Sequence, residues 1–230
     1  MRAPTNAAAA VPPEPEPEDP TARIRRAILQ GVLFPNQHLG EAELAQRLGV
    51  NRAAVRLALA VLEQQGLVIR ERNRGARVRV VTAREAIEIM ELRAVIEAVV
   101  ARDAARHAGP ADVAQLRALH QELGALLAAG DLPGYSLLNV RFHAAIARIS
   151  RHATGAVILD SLHSQTVAFQ YRPIREPGRA RSIEAEHAAL LAAIAGNDDA
   201  AAEAAMRTHL DNAVLALRAT IAARPRPDPW

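Results

Sequence analysis

Cysteine is absent from the 230-residue sequence, so neither a disulfide framework nor a metal site with thiolate ligands is possible. No apolar run reaches the roughly 18–20 residues that a helix needs to span a bilayer. Residues 1–20 carry a short alanine run followed by alternating proline and glutamate, which is too weakly apolar for a signal-peptide core. We therefore expect a disordered tail over residues 1–20 and a cytoplasmic protein with no membrane partner.

Lysine is absent as well, so all 28 side chains of the Lys and Arg class are arginines. The formal net charge is only +3 although the sequence pI is about 10.4, so the position of the arginines matters more than their number. Between residues 70 and 84, six arginines stand against a single acid, Glu71. Basic charge concentrated in one short segment is typical of a surface that binds nucleic acid.

The first third of the chain has the pattern of a small DNA-binding domain. Helical spacing of apolar residues predicts three helices, at 21–30, 41–48 and 52–65. Asn51 is placed to cap the third helix, and Gly66 ends it. Two β-rich runs then flank the sequence Asn73-Arg74-Gly75, which indicates a hairpin. This order predicts a winged helix-turn-helix over residues 21–81.

From residue 82 onward the pattern is helical, and no segment indicates a strand. The helices are bounded by glycine, proline, asparagine or aspartate. Six are predicted, at about 82–107, 111–129, 133–150, 154–171, 179–195 and 198–223. The fold class is therefore mainly α, with an all-α bundle of about six helices over 82–223 and a short tail at 224–230.

The third helix carries the strongest functional signal. Its apolar face is formed by Val55, Ala58, Leu59 and Leu62, and Arg52 and Arg56 lie on a neighbouring face near its start. The N-terminal end of a recognition helix meets base edges in the major groove, and arginine makes bidentate contacts with guanine. We predict that both arginines bind DNA. Solvated arginines in an arginine-rich protein are the alternative.

The hairpin tip adds further candidate DNA contacts. Arg72 and Arg74 flank it, and Gly75 allows the backbone to approach DNA closely. We expect these residues to supply mainly sequence-independent affinity, through phosphate or minor-groove contacts.

Three histidines of the bundle suit a divalent metal. His143 follows Asn139 by one helical turn, so both side chains share a face, and His187 and His209 lie on two later helices. Three imidazoles and a neighbouring oxygen donor can bind such an ion, although buried core histidines are the alternative. Surface positions at helix ends or on polar faces are expected for the other five, His38, His107, His120, His152 and His163.

Catalysis is not indicated. Glu184-x-x-His187 has the spacing of a di-iron carboxylate helix, but such sites need a second copy of the motif, which the sequence lacks. There is no Ser/His/Asp motif and no glycine-rich phosphate loop. Arg93 and Glu97, one turn apart on the first bundle helix, fit an ordinary helical ion pair.

The stretch ILQGVLFPNQHLGEAELAQRLGVNRAAVRLALAVLEQQGLVIRERNRGARV resembles the winged helix of GntR-type bacterial transcription regulators. The helical remainder resembles the effector domain, called FCD, of their FadR-like branch. The resemblance implies that Arg52 and Arg56, in the motif Arg-x-x-Val-Arg, touch DNA, and that Arg74 and Gly75 belong to the wing. Leu57 departs from the family, which usually has glutamate there, and this affects the operator sequence rather than DNA binding.

The same resemblance implies a metal and an effector. FCD domains carry Asp-x-x-x-His on one helix and single histidines on the last two, holding zinc, nickel or a similar ion. His143, His187 and His209 match this pattern, and Asn139 occupies the aspartate position. The arginine of the family's Leu-Arg-x-x-x-Glu pattern, here Arg93, often faces the effector cavity and can bind a carboxylate.

We therefore expect a ligand-responsive transcription regulator, most simply a repressor. Its winged helix would bind an inverted-repeat operator in double-stranded DNA as a homodimer, and its bundle would sense a small carboxylic acid at a metal site. Two alternatives stay open. One is a metal-dependent enzyme on a helical bundle, and the other is a constitutive DNA-binding dimer without an effector.

Overall fold

The computed structural model describes residues 19–71, 75–165 and 179–223, with the side chains of Glu71 and Ala180 left aside. Within these ranges it contains nine α-helices and one small sheet, so the predicted mainly α fold is confirmed. None of the described helices is both long and apolar enough to cross a bilayer.

The N-terminal domain, predicted to bind DNA, begins with three helices, α1 (Pro20–Leu29), α2 (Glu41–Leu48) and α3 (Arg52–Gln64). Gly49 ends α2 with φ +70°, a left-handed conformation that glycine adopts without strain. The side chain of Asn51 accepts a hydrogen bond from the Ala54 backbone N–H at 2.8 Å and so caps α3, as predicted. The short turn between the two residues holds α2 and α3 as a helix-turn-helix.

The sheet has three antiparallel strands in the order β1-β3-β2. Their bounds are His38–Leu39 for β1, Val68–Glu71 for β2 and Gly75–Val78 for β3. The predicted hairpin is β2 and β3, with Val68 opposite Val78 and Glu71 opposite Gly75. The sequence did not predict β1, because two residues are too few to show an alternating pattern. Residues 72–74, which include Arg72 and Arg74, lie outside the described ranges.

The core of this domain is built from aliphatic side chains. The predicted inward face of α3, which comprises Val55, Ala58, Leu59 and Leu62, is at most 2% exposed. It packs against Ile24 of α1 and Leu44 of α2. Burial of each such side chain contributes roughly 1.5–3 kcal/mol. The charged side chains are therefore left at the surface.

Six described helices form the second domain. They are α4 (Ala83–His107), α5 (Pro110–Ala128), α6 (Leu132–Ser150), α7 (Ala153–Gln165), α8 (Arg179–Ala195) and α9 (Asp199–Ala222). The predicted extension of α7 to residue 171 lies outside the described residues. Thr82, Asp131 and Asp198 cap α4, α6 and α9 by accepting hydrogen bonds from backbone N–H groups.

Helix α4 lies at the centre of the bundle and packs along α9 and α6. Its inward face is rich in alanine, and Ala94, Ala101 and Ala104 are fully buried. Such small side chains let the neighbouring helices come close. The bundle core also contains polar and charged side chains, namely Arg93, Glu97, Ser136, His143, Ser150, Ser164, Arg179, His187 and His209.

Candidate functional site

The exposed side of α3 carries the two predicted DNA-binding arginines, Arg52 and Arg56, in its first two turns. Glu41, at the start of α2, accepts hydrogen bonds from Arg56, with Nη2 2.8 Å and Nε 3.1 Å from its carboxylate oxygens. The hydrogen bond from Arg56 lowers the pKa of Glu41. The side chain of Arg56 nevertheless remains 60% exposed, so its guanidinium can leave Glu41, which is 25% exposed, for a DNA phosphate or base.

Glycine is required at position 75 for a structural reason besides the predicted close approach to DNA. It begins β3 with φ +82°, and a Cβ at this position would lie 3.0 Å from the Leu39 carbonyl oxygen of β1. A side chain would therefore disturb the pairing of β1 with β3. The DNA contacts of Arg72, Arg74 and Gly75 stay predictions.

His143 on α6, His187 on α8 and His209 on α9 come together in the middle of the bundle. All three are buried, and one ring nitrogen from each lies within 4.8 Å of the others. The ring centroids are 4.6 Å apart for His187 and His209 and 5.3 Å apart for His143 and His209. The structure thus brings together the three histidines that the sequence singled out.

Two carboxylates orient the cluster. Nδ1 of His143 is 2.5 Å from Glu97 Oε2, and Nδ1 of His209 is 2.8 Å from Glu186 Oε2. Histidines that bind metals typically use one nitrogen for the metal and the other for such a partner. Nε2 of His143 and Nε2 of His187 are buried without a hydrogen-bond partner among the described residues.

Asn139 adds an oxygen to this set. It lies one turn before His143 on α6, and its Oδ1 atom is likewise buried with no partner among the described residues. Buried polar atoms normally find hydrogen bonds, so several buried acceptors without a partner among the described residues, next to three histidines, form a donor set that could hold a ligand. Imidazole nitrogens with one amide oxygen fit a divalent first-row ion such as zinc or nickel.

Burial also sets the protonation of the rings. It lowers the pKa of His187 well below its ordinary value, with further lowering by the neighbouring His209 and His143. It lowers the pKa of His209 to about 4, despite the opposing effect of the hydrogen bond that His209 donates to Glu186. Both imidazoles are therefore neutral at pH 7, which is the form that binds a metal.

Arg93 makes the helical ion pair with Glu97, but this pair is buried and belongs to the site. Its Nε is 2.9 Å from Glu97 Oε1, and its Nη1 is 3.0 Å from the Met90 sulfur. Burial alone would raise the pKa of Glu97, yet Arg93, His143 and His163 hold it well below the usual value. Glu97 is therefore an anion that joins Arg93 to the histidine cluster.

The expectation of a surface position for His163 is wrong. Its side chain is only 15% exposed, and its Nε2 is 3.1 Å from Glu97 Oε1. The available signal was its spacing of one turn from Leu159, which is buried. His120 is half-buried as well, and its ring centroid lies 6.4 Å from that of His187.

Arg179 and Tyr135 are two further residues that the sequence did not single out. Arg179 begins α8, is 7% exposed, and donates to Glu186 Oε1 at 2.5 Å and to the His209 carbonyl at 3.2 Å. Its Nε and the hydroxyl of Tyr135 are buried without a partner among the described residues. Two buried hydrogen-bond donors lacking an acceptor can bind an anion. The sequence could not predict this role, because nothing distinguishes Arg179 from the many other arginines of the chain.

The di-iron interpretation fails on geometry. It requires the carboxylate of Glu184 to face the bundle core together with His187. Glu184 is exposed, whereas its neighbour Glu186 makes the buried contact with His209.

Comparison with known proteins gives two family matches. Residues 21–78 match the pattern described as bacterial regulatory proteins of the gntR family, and residues 88–212 match the FCD domain. Together these ranges include α3 and all three clustered histidines.

Individual proteins are similar over most of the chain. The HTH-type transcriptional regulator LutR of Bacillus subtilis (strain 168) is 26% identical over 210 residues, which cover 80% of this chain and 93% of LutR. The HTH-type transcriptional repressor RspR of Escherichia coli (strain K12) is 26% identical over 188 residues, covering 81% and 82%. The solved structure of E. coli McbR/YncC has a TM-score of 0.75 at 21% identity, covering 88% of this chain and 96% of McbR/YncC, and so supports the fold.

Proposed function

The chain belongs to the GntR family of bacterial transcription regulators and carries an FCD domain, and on this premise we propose that it is a repressor controlled by a small carboxylic acid at a metal centre. GntR regulators bind DNA and FCD domains bind small-molecule effectors. The protein is therefore a transcriptional regulator and not an enzyme. The finer parts of the proposal rest on the two sites described above.

In the DNA-binding half, Arg52 and Arg56 contact base edges or phosphates at the start of α3. Binding requires Arg56 to exchange the Glu41 carboxylate for DNA. Leu57 is 68% exposed on the same helix, so its apolar side chain is available to contact a thymine methyl group. Arg72 and Arg74 add salt-dependent affinity, so neutralising both should reduce the log–log salt slope by about one unit per lost phosphate contact.

In the helical half, Asn139, His143, His187 and His209 would hold the ion. When bound, the ion supplies positive charge and coordination positions for a carboxylate. The protein adds little net charge of its own, because Glu97 is paired with Arg93 and Glu186 with Arg179. Three imidazoles and an amide bring no negative charge to the ion, which favours an anionic effector.

The effector carboxylate needs donors besides the ion. Arg93 already donates to Glu97 and to Met90, which limits what it can offer a ligand. Arg179 Nε and the Tyr135 hydroxyl have no acceptor among the described residues, so we assign them as additional anion contacts. In this assignment Arg93 has an indirect role: it keeps Glu97 ionised, and Glu97 in turn orients His143.

Regulation requires that the effector favour one arrangement of a homodimer over another. Two recognition helices must lie at the spacing of an inverted-repeat operator to bind it. Effector binding would shift the dimer away from that spacing. The similarity to RspR, which is named a repressor, supports the direction of this effect.

One observation carries the proposal: in a cluster of three histidines, His143 Nε2 and His187 Nε2 are buried with no hydrogen-bond partner in the described part of the chain, and so is Asn139 Oδ1 one helical turn before His143. Isothermal titration of metal-free protein with zinc or nickel tests it directly. Wild-type protein should bind one ion per chain, and His187→Ala should not. His107→Ala is the matched control, because His107 is exposed at the end of α4.

The proposed response to a small carboxylic acid is tested separately. A thermal-shift screen of small carboxylic acids should give stabilisation that requires the metal. The same acid should release protein from an operator selected out of random DNA. Asn139→Asp should raise metal affinity and weaken this release, because its negative charge competes with the acid. An absence of any acid response with metal bound would favour the constitutive dimer.

A further inference from the structure

A cavity lies between the two domains. It has a volume of about 450 Å³ and is bounded by α1 of the DNA-binding domain and by α6 and α7 of the bundle. None of the three clustered histidines lines it. Ligand pockets are typically about 300–1,000 Å³ and occur preferentially where domains meet.

The lining of this cavity is aliphatic with a charged rim. Leu29, Val140, Ala144 and Leu159 contribute apolar surface, and Val140 remains 36% exposed. Arg25 and Arg148 supply positive charge, although Arg148, whose side chain is 58% exposed, also pairs with Asp112 at 3.0 Å. The carboxylate of Asp160 pairs with Arg25 at 3.1 Å but is itself 61% exposed, so this pair is weak enough to exchange with a ligand anion.

The cavity is connected to both functional halves of the molecule. His163 lines it and bonds to Glu97, which in turn bonds to His143 of the metal cluster. Helix α7, which forms one wall, is also joined to the DNA-binding domain. Ser161 Oγ donates to the Gln65 carbonyl at 3.3 Å, and Gln165 Oε1 accepts from Arg79 at 2.6 Å.

We propose that this interdomain cavity is a second ligand site, separate from the metal centre, for a small molecule with an apolar body and one anionic group. The apolar body lies against the aliphatic wall, and the anion meets Arg25 and Arg148. A ligand held there contacts α1 and α7 together and so acts on the junction between the DNA-binding domain and the bundle.

The test uses full-length protein and the fluorescent probe 1-anilinonaphthalene-8-sulfonate, which combines an aromatic body with a sulfonate. Wild-type protein should bind it saturably at one site per chain. Decanoate should displace the probe, whereas acetate, which lacks the apolar body, should not. Saturable binding that acetate displaces as well as decanoate would overturn the proposal, as would no saturable binding.

Substitutions in the cavity lining test whether the probe binds there. Ala144→Trp introduces a bulky side chain into the cavity from an exposed position on α6 and should weaken probe binding at least tenfold. Ala118→Trp, at an exposed position on α5 outside the cavity lining, is the matched control and should leave binding unchanged. Arg25→Gln should weaken binding severalfold without filling the cavity. Equal binding by wild-type, Ala144→Trp and Arg25→Gln would place the probe elsewhere and overturn the proposal.

Zinc separates this site from the metal centre. Wild-type protein should bind the probe equally well in saturating zinc and in the presence of a chelator. Loss of probe binding on addition of zinc would mean that the probe occupies the metal centre, and this outcome would also overturn the proposal. Zinc binding itself is measured separately by calorimetry, so the two proposals fail independently.

Discussion

The two domains differ most in what their cores contain. In the described part of the chain, every buried polar or charged side chain belongs to the bundle, from Arg93 onward. The core of the DNA-binding domain is aliphatic, and the arginines proposed to bind DNA, Arg52 and Arg56, lie on the surface. The residues proposed for function and those that give stability are thus separate in the first domain. In the second they depend on the same residues, because the side chains that would hold a metal also fill the core.

This difference predicts opposite mutational behaviour. Exposed arginines can be removed with stability changes usually within about 0.5 kcal/mol. A buried charge that loses its partner costs much more, because it was taken out of water. The comparison can be tested by changing one residue in each setting.

The largest effect is expected for Arg93→Ala. It leaves the Glu97 carboxylate, which is 2% exposed, without its cationic partner. We expect the free energy of unfolding to fall by about 3–5 kcal/mol. Arg84→Ala removes an exposed ion pair with Glu88 from the same helix and should cost less than about 0.5 kcal/mol. Urea denaturation of both metal-free variants measures the difference, and equal losses would contradict the comparison.

The next effect concerns DNA binding. Arg52→Ala and Arg56→Ala should each weaken binding to a selected operator by about 1–3 kcal/mol, because each removes one base contact. Unfolding free energies should stay at the wild-type value. Arg47→Ala, exposed on α2, is the matched control. Fluorescence anisotropy measures the affinities. Unchanged affinity in both α3 variants would exclude this face of α3 as the DNA-reading surface.

A third effect concerns the carboxylates behind the histidines. Glu97→Gln and Glu186→Gln should each lower zinc affinity about 10- to 100-fold, because the histidines lose the anion that orients them. Glu91→Gln, exposed on α4, should leave the affinity unchanged. Competition with a chelator of known affinity gives the constants. Similar affinities in all three variants would mean that the carboxylates serve only stability.

The sequence predictions succeeded where a feature depends on neighbouring residues and failed where it depends on contacts between distant elements. Helix bounds were predictable because caps such as Asn51 and Thr82 act locally. The three histidines of the cluster were recognisable by type and spacing. Their partners were not, because Glu97, Glu186 and His163 gain their roles only when α4, α7 and α8 meet. Strand β1 was missed for the same reason, since its two residues are defined by pairing with β3.

The smallest expected effect is a difference between the two domains in how their free energy of unfolding depends on pH. Folding lowers the pKa of His209 from about 6.5 to about 4, so the unfolded chain binds more protons between these values. The resulting stability is fully present above pH 6.5 and is lost as the pH falls towards 4. The carboxyl of Glu186, with a pKa of about 2, stays ionised in this range and adds no opposing trend above pH 5.5.

Metal-free bundle should therefore lose at least about 1 kcal/mol of unfolding free energy between pH 7 and pH 5.5. Calorimetry in the presence of a chelator measures the change for each domain. His209→Asn should reduce this slope, whatever its effect on stability at pH 7, because the titrating group is gone. The transition of the DNA-binding domain should move less, since its described core buries no histidine. A DNA-binding domain that responded to pH as strongly as the bundle would show that the histidine core is not the source of the difference.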